Sequence, residues 1–316
     1  MRLYDYLNEE EEENNKPLFD MTEEDKIEKI KKDPIWFIES YCKIDGDKPF
    51  KMFEYQKEFV KKVMEHKYLI VNKSRQMGVS QIAGAFCLWY SMTKPKKETI
   101  IISLNTTEAE YFIDRRIWDV YDELPKFIKM RIKIKHSENE IKFENGSRIE
   151  AMANTKKALR GRSPSMVVVD EMAFQNQAKA MITSAMPALQ LGEHLILIST
   201  PNGTQEPGEF FYKTWQKAKE GNSDFYPLKI NWYENPMYNP DAPKEVDWQK
   251  NKWAMSQYRN YTDADSFKQE ILGEFIDIRN DISAGVTSQG GQEQEKKPVY
   301  NMPEYLKDYW RKYIRE

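Results

Sequence analysis

Four short, uninterrupted apolar runs constrain this chain more than any other feature: Tyr68-Leu-Ile-Val-Asn72, Thr99 to Leu104, Met166-Val-Val-Val169 and Leu195-Ile-Leu-Ile-Ser199. A strand with no polar alternation has both faces covered. Helical patterns lie before and between these runs. Thr22 to Lys31 and Asp33 to Cys42 read as short helices, with Thr22 and Asp33 as caps and Pro34 at a first helical position. Phe53 to His66, Ser80 to Met92 and Thr106 to Glu123 come next, while Glu144-Asn-Gly-Ser147 is a hairpin turn between Glu140–Phe143 and Arg148–Met152. Buried strands alternating with helices predict an α/β fold with a mainly parallel central sheet flanked by helices.

The 316 residues are 40% hydrophobic and 13% aromatic, enough to fill a core and to exclude disorder throughout. No apolar stretch approaches the roughly 20 residues of a membrane span, and no apolar signal core opens the chain, so a soluble protein without membrane association is expected. The two cysteines, Cys42 and Cys87, are too few for a disulfide framework, and Cys87 sits in an apolar run that suits core packing. A net charge of −3 is not the basic balance common in nucleic-acid binders, so DNA contact would use local clusters: Lys94, Lys96 and Lys97, then Lys126, Lys129, Arg131, Lys133 and Lys135, then Lys156 and Lys157. Each also reads as ordinary solvated surface.

The domain reading is an acidic flexible arm over 1–21, containing Glu9 to Glu13, and one main α/β domain over 22–280. Within that domain the aromatic stretch 224–280 is a small helical lid subdomain or simply an outer layer. Residues 281–298 read as a linker, and 299–316 as an amphipathic helix carrying Tyr305, Leu306, Tyr309, Trp310 and Ile314 on one face.

The first run leads into Lys73-Ser-Arg-Gln-Met-Gly-Val-Ser80 and then a helix, the context in which backbone N–H groups cradle phosphates. Gly78 and Ser80 match the second glycine and the Mg²⁺-reaching hydroxyl of a P-loop. Lys73 stands where the first glycine belongs, and Val79 where the lysine belongs. Phosphoryl transfer needs cations on the β- and γ-phosphates, so Lys73 and Arg75 are the candidates to replace the lysine. The loop residues Lys73, Ser74, Arg75, Gln76, Met77, Gly78, Val79 and Ser80 are therefore the expected ATP contacts. Tyr55 is placed to stack on adenine and Gln56 to bond its edge.

The third run ends in Asp170 and Glu171, the Walker B arrangement. A carboxylate at the carboxyl end of a buried strand lies where open α/β sheets bind ligands. Asp170 is expected to hold Mg²⁺ with Ser80, and Glu171 to orient or deprotonate the attacking water. The fourth run ends in Ser199-Thr-Pro-Asn-Gly203, where Ser199, Thr200 and Asn202 can couple the phosphate site to the rest of the protein, or simply make a turn.

With Leu159-Arg-Gly-Arg162 added, this ordered motif set resembles the large terminase family of tailed phages, from about Asp33 to Phe275. The resemblance implies an additional-strand catalytic-glutamate P-loop fold, Mg-ATP as fuel, double-stranded DNA as cargo, and a homo-oligomeric ring, often of five, docked on a portal protein and served by a small terminase subunit. The place of action would be the infected host's cytoplasm, transiently at the procapsid. It also implies a basic residue displaced toward the loop's start, which suits Lys73 and Arg75. Arg160, or secondarily Arg162, would act in trans on a neighbour's γ-phosphate. Only a short tail comes after Phe275, so no nuclease activity is expected of this chain: either a separate nuclease polypeptide supplies cleavage, or the chain is a fragment of a longer protein. Two other readings exist: another nucleic-acid translocase or helicase, disfavoured because a second lobe finds no room, and a non-hydrolysing structural subunit, disfavoured by the intact Ser80, Asp170 and Glu171.

Overall fold

The computed structural model describes residues 20–44, 48–131, 134–155, 158–240 and 247–277. The expected acidic arm up to residue 19, the expected linker 281–298, the helix expected over 299–316 and the cluster at Lys156 and Lys157 lie outside them.

Two capped helices open the described chain, α1 (Glu23–Lys32) and α2 (Pro34–Tyr41). Thr22 closes a reciprocal capping box with Asp25, and the Asp33 carboxylate accepts from the Trp36 N–H at 2.8 Å. A cap of this kind contributes about 1 kcal/mol, which explains why these boundaries could be read from sequence. A two-stranded ribbon, Lys43–Ile44 with Lys48–Pro49, leads to α3 (Glu54–Glu65).

The main sheet has eight strands: β1 (Tyr68–Lys73), β2 (Glu98–Ser103), β3 (Ile134–Ser137), β4 (Glu140–Phe143), β5 (Arg148–Ala153), β6 (Met166–Val169), β7 (His194–Ser199) and β8 (Tyr226–Ile230). Their spatial order is β8-β1-β7-β6-β2-β5-β4-β3. Neighbours from β8 through β5 are parallel; β4 and β3 close that side as an antiparallel meander. Placing β7 between β1 and β6 inserts a strand between the phosphate loop and the acidic pair, the additional-strand form of the P-loop fold.

Side chains of one strand divide between two cores. Leu69, Val71, Ile101, Val168 and Ile198 pack on one face, while Ile70, Ile100, Ile102, Val169 and Leu197 pack on the other. Each such buried side chain contributes about 1.5–3 kcal/mol, so an uninterrupted apolar run is stable only here, between two helical layers. The first layer holds α1, α2, α3, α4 (Val79–Thr93) and α5 (106–122), and buries Phe37, Phe59, Phe86 and Phe112. The second holds α7 (Ala178–Leu189) and α8 (Glu209–Lys219), with Met181, Phe211 and Trp215. The short α6 (Lys126–Arg131) precedes β3.

Helix α5 differs from the simple helix expected over Thr106 to Glu123. It begins as Thr106–Tyr111, widens into π-helical turns over Phe112–Trp118 and finishes as Asp119–Asp122. The expected 224–280 subdomain also needs correction at its start, because β8 pairs in parallel register with β1 and belongs to the sheet. Beyond β8 comes a C-terminal layer of α9 (Lys252–Asn260) and α10 (Ala264–Phe267), the latter continuing in π-helical form through Lys268–Leu272. Trp232, Trp253, Phe267 and Ile271 form its own small core. No helix among the described residues is long and apolar enough to cross a membrane. Within the basic clusters, Lys94 and Lys97 both engage Glu193, and Lys129 pairs with Asp122.

Candidate nucleotide site

The carboxyl ends of β1, β7 and β6 meet in register, Asn72 beside Ser199 and Leu197 beside Val169, so the residues just beyond them converge at one edge of the sheet. Lys73 is the last residue of β1 and only 6% exposed. Its Nζ lies 3.3 Å from Glu171 Oε1. Next to that pair, the Ser80 hydroxyl donates to Asp170 Oδ1 at 2.9 Å. Lys73 thus enters from the strand, while Val79, 2% exposed at the start of α4, packs in the core.

The loop between them has the backbone of an anion cradle. Gln76 and Gly78 are both left-handed, with φ of 60° and 69°, and left-handed residues in a turn generate concave N–H nests. Gly78 has a second constraint: a Cβ there would lie 2.9 Å from Gln56 Nε2. Glu171 is also left-handed, φ 49°, a strained conformation for a residue with a Cβ, which the turn after it holds in place. About a third of its side-chain surface reaches solvent, yet the recess is deep enough that burial raises its carboxyl above the usual carboxylate range. The Lys73 ammonium opposes that rise and the Asp170 charge adds to it.

Ser80 and Asp170 offer hard oxygen donors side by side, which suits Mg²⁺. Among the described residues no group of three His, Cys, Asp or Glu could hold a metal unaided. Phosphate oxygens would have to complete the shell, as they do at nucleotide sites.

Several expected residues are placed differently. Arg75 does not join the carboxylates. It is exposed, its Nη1 pairs with Glu270 at 3.2 Å, and its backbone N–H donates to the Glu270 carbonyl. Tyr55 and Gln56 are each 5% exposed, and both donate to the Met77 carbonyl, at 3.1 and 3.2 Å. They hold the phosphate loop from beneath and present no open face to adenine, which replaces the expected base contact with a loop-bracing one. Ser74 donates to the Ile271 carbonyl at 2.6 Å, and the Gln76 carbonyl accepts from the Tyr238 hydroxyl at 3.0 Å.

The fourth-run motif sits against the acidic strand. Ser199 Oγ accepts from the Ala173 N–H at 3.1 Å and Asn202 Nδ2 donates to the Ala173 carbonyl at 3.2 Å, bracketing the turn that carries Glu171. Thr200 is buried, and Gly203 N–H donates to Gln269 Oε1 at 2.5 Å. The two arginines of Leu159–Arg162 separate completely. Arg162 makes paired bonds to Glu150 at 2.6 and 2.9 Å and reaches Glu98, whereas Arg160 is exposed with no ion pair to any described residue.

Sequence reasoning missed two partners of Asp170. Arg116, from the π-helical turns of α5, donates to Oδ2 at 2.8 Å, and Gln175 donates to the Asp170 carbonyl at 2.8 Å. The signal for Arg116 was an arginine pair inside a helix pattern of mixed apolar and acidic residues; nothing in it says which of the two turns inward.

A left-handed loop between a buried strand and a helix, a strand-end acidic pair and an intervening strand define a P-loop nucleotide-binding protein. The family described as terminase large subunit, T4likevirus-type, N-terminal, matches residues 70–291, and the chain belongs to it. Among solved structures, the chain is similar to the large terminase ATPase domain of Thermus phage P74-26, at 18% identity and TM-score 0.55 over 72% of this chain and 95% of that one. It is similar also to the HK97 bacteriophage large terminase, at 17% identity and TM-score 0.59 over 78% of this chain and 55% of that one. The large terminase of another thermophilic bacteriophage, in complex with ADP, matches at 12% identity and TM-score 0.51, over 72% of this chain and 54% of that one. The chain thus spans about half the length of the HK97 protein and of the ADP-bound one.

Proposed function

We infer that this chain is the ATP-hydrolysing motor subunit of a phage DNA-packaging terminase, converting Mg-ATP hydrolysis into movement of double-stranded DNA into a procapsid. The observation that carries the reading is Lys73 Nζ at 3.3 Å from Glu171, beside Ser80 at 2.9 Å from Asp170: a strand-borne lysine supplies the cation that position 79 lacks. The complex of the thermophilic-phage relative with ADP agrees with it.

In this mechanism the loop N–H groups and Lys73 bind the β- and γ-phosphates. Ser80 and Asp170 would hold Mg²⁺, which would supply further positive charge to those oxygens. Glu171 accepts a proton from the attacking water, and its raised pKa brings it nearer to the working pH of a general base. Ser199 and Asn202, joined to the turn after Glu171, pass the change in that turn to Gly203 and so to the C-terminal layer. Arg160, exposed and unpaired among described residues, is the residue offered to a neighbour's γ-phosphate. Arg162, consumed by Glu150, is not. The reading includes a homo-oligomeric ring of about five subunits on a portal protein, a small terminase subunit, the host cytoplasm as site of action, and DNA cleavage by another domain or polypeptide.

The test is DNA-stimulated ATP turnover by the purified chain, with Asp170→Asn as control. Turnover that rises with double-stranded DNA and with protein concentration, and that a mixture of Arg160→Ala and Glu171→Gln partly recovers, supports the motor. Turnover indifferent to DNA and to Asp170→Asn rejects it.

A further inference from the structure

The site's charges are matched one to one: Lys73 with Glu171, and Arg116 with Asp170. The second pair has no counterpart in the motifs that define the phosphate loop, and its geometry is tightly set. Asp170 keeps only 8% of its side-chain surface exposed and Arg116 24%, so the pair lies where charges interact far more strongly than in water. Arg116 takes Oδ2 at 2.8 Å while Ser80 takes Oδ1 at 2.9 Å, which engages both oxygens of the carboxylate.

Three features aim the guanidinium there. It lies 4.8 Å from the Phe112 ring centre and 5.7 Å from that of Tyr111. The backbone of Arg116 presses on Gly84 of α4, where a Cβ would meet the Arg116 carbonyl oxygen at 2.7 Å, so the phosphate-loop helix and α5 approach closely only because that residue is glycine. Finally, Arg116 sits in π-helical turns, a local widening of the helix that changes the direction of side chains and recurs at functional sites.

A divalent cation approaching the Ser80 and Asp170 oxygens meets the Arg116 charge within a few ångströms, and that repulsion outweighs any gain from a preordered carboxylate. Phosphates arriving with the cation reverse the balance, because their negative charge attracts both Arg116 and the metal. We propose that Arg116 is a positioning residue that serves Asp170 as a resident counter-cation, so that the carboxylate admits a divalent ion only together with a nucleotide. The inference rests on the reading of Asp170 as the metal-holding carboxylate.

The experiment titrates Mn²⁺ into the full chain stripped of nucleotide, with free Mn²⁺ followed by electron paramagnetic resonance, and repeats the titration with ADP. Arg116→Gln is expected to bind Mn²⁺ without nucleotide about tenfold more tightly than the parent. Arg116→Lys, which keeps the charge, should stay near the parent, and adding Asp170→Asn to Arg116→Gln should abolish the gain. Unchanged or weaker Mn²⁺ binding by a folded Arg116→Gln overturns the proposal, with Arg116→Met as the second uncharged variant. Loss of cooperative melting in both would make the pair a brace of the fold and overturn it as well. The ADP arm separates the two readings. If Asp170→Asn weakens Mn²⁺ binding with ADP while Arg116→Gln gains nothing without it, only the Arg116 assignment falls. If Asp170→Asn leaves Mn²⁺ binding with ADP unchanged, the metal role of Asp170 falls and takes this proposal with it.

Discussion

Two regions touch the phosphate loop, and they do so by different means. At the strand edge, Lys73 and Asp170 are carried by buried strands or the residues just beyond them, and their contacts join charged groups to charged or polar groups in a largely buried recess. The C-terminal layer reaches the same loop from outside, mostly through backbone: the carbonyls of Glu270 and Ile271 accept from Arg75 and Ser74, and the Tyr238 hydroxyl donates to the Gln76 carbonyl. Its one ion pair to the loop among the described residues, Arg75 with Glu270, includes an arginine that is about half exposed. On the proposed function, the strand edge is therefore the part that would do chemistry, and the layer the part that would sense the loop's shape. Backbone contacts depend on where the chain runs and carry no charge to a phosphate.

The sharpest test of that contrast makes the same chemical change in both regions. Glu171→Gln should lower turnover about 10²–10⁴-fold, the usual worth of a positioned general base, with nucleotide still bound. Comparable losses from Glu270→Gln would break the comparison.

Next in size is Lys73→Met, for which a loss of about 10²–10³-fold in turnover is expected, as for removal of one preorganised charge-stabilising donor. It carries a pH signature as well. Burial raises the Glu171 carboxyl and Lys73 opposes the rise, so activity that needs the carboxylate is lost as pH falls through a value above the usual carboxylate range. Without Lys73 that limb of the pH–rate profile should move further up; an unmoved limb would disconnect the two residues.

Arg162→Ala should act on stability, costing about 1–2 kcal/mol through its bonds to Glu150 and Glu98, seen as a lower thermal midpoint. Turnover per folded molecule should hold, in contrast to Arg160→Ala. The smallest expected effect is that of Glu270→Gln itself. A partly exposed ion pair contributes about 0–1 kcal/mol, so ATP affinity should change less than about fivefold by equilibrium binding.

The parallel sheet, the capped helices and the acidic strand end were legible because each depends on residues adjacent in sequence. Uninterrupted apolar runs imply two covered faces, Thr22 and Asp33 imply caps, and carboxylates after Val169 imply a place at the sheet's edge. The replacement of the missing lysine was legible only as a choice between Lys73 and Arg75. They stand two residues apart, and sequence cannot say that the first ends a strand and turns inward while the second meets Glu270.

The same limit governs the rest of the site. Composition and local pattern determined that this chain has a phosphate loop, a Walker B strand and a hydroxyl-rich fourth strand, since those properties reside in short segments whose burial is set by side-chain chemistry. Tertiary structure alone decided that Tyr55 and Gln56 hold the Met77 carbonyl, that Arg162 belongs to Glu150, and that Arg116, 54 positions from Asp170, becomes its counter-ion. Those pairings depend on which strands neighbour one another and on a π-helical turn packed against Gly84. A charge can choose its partner only after the sheet has decided which charges are within reach.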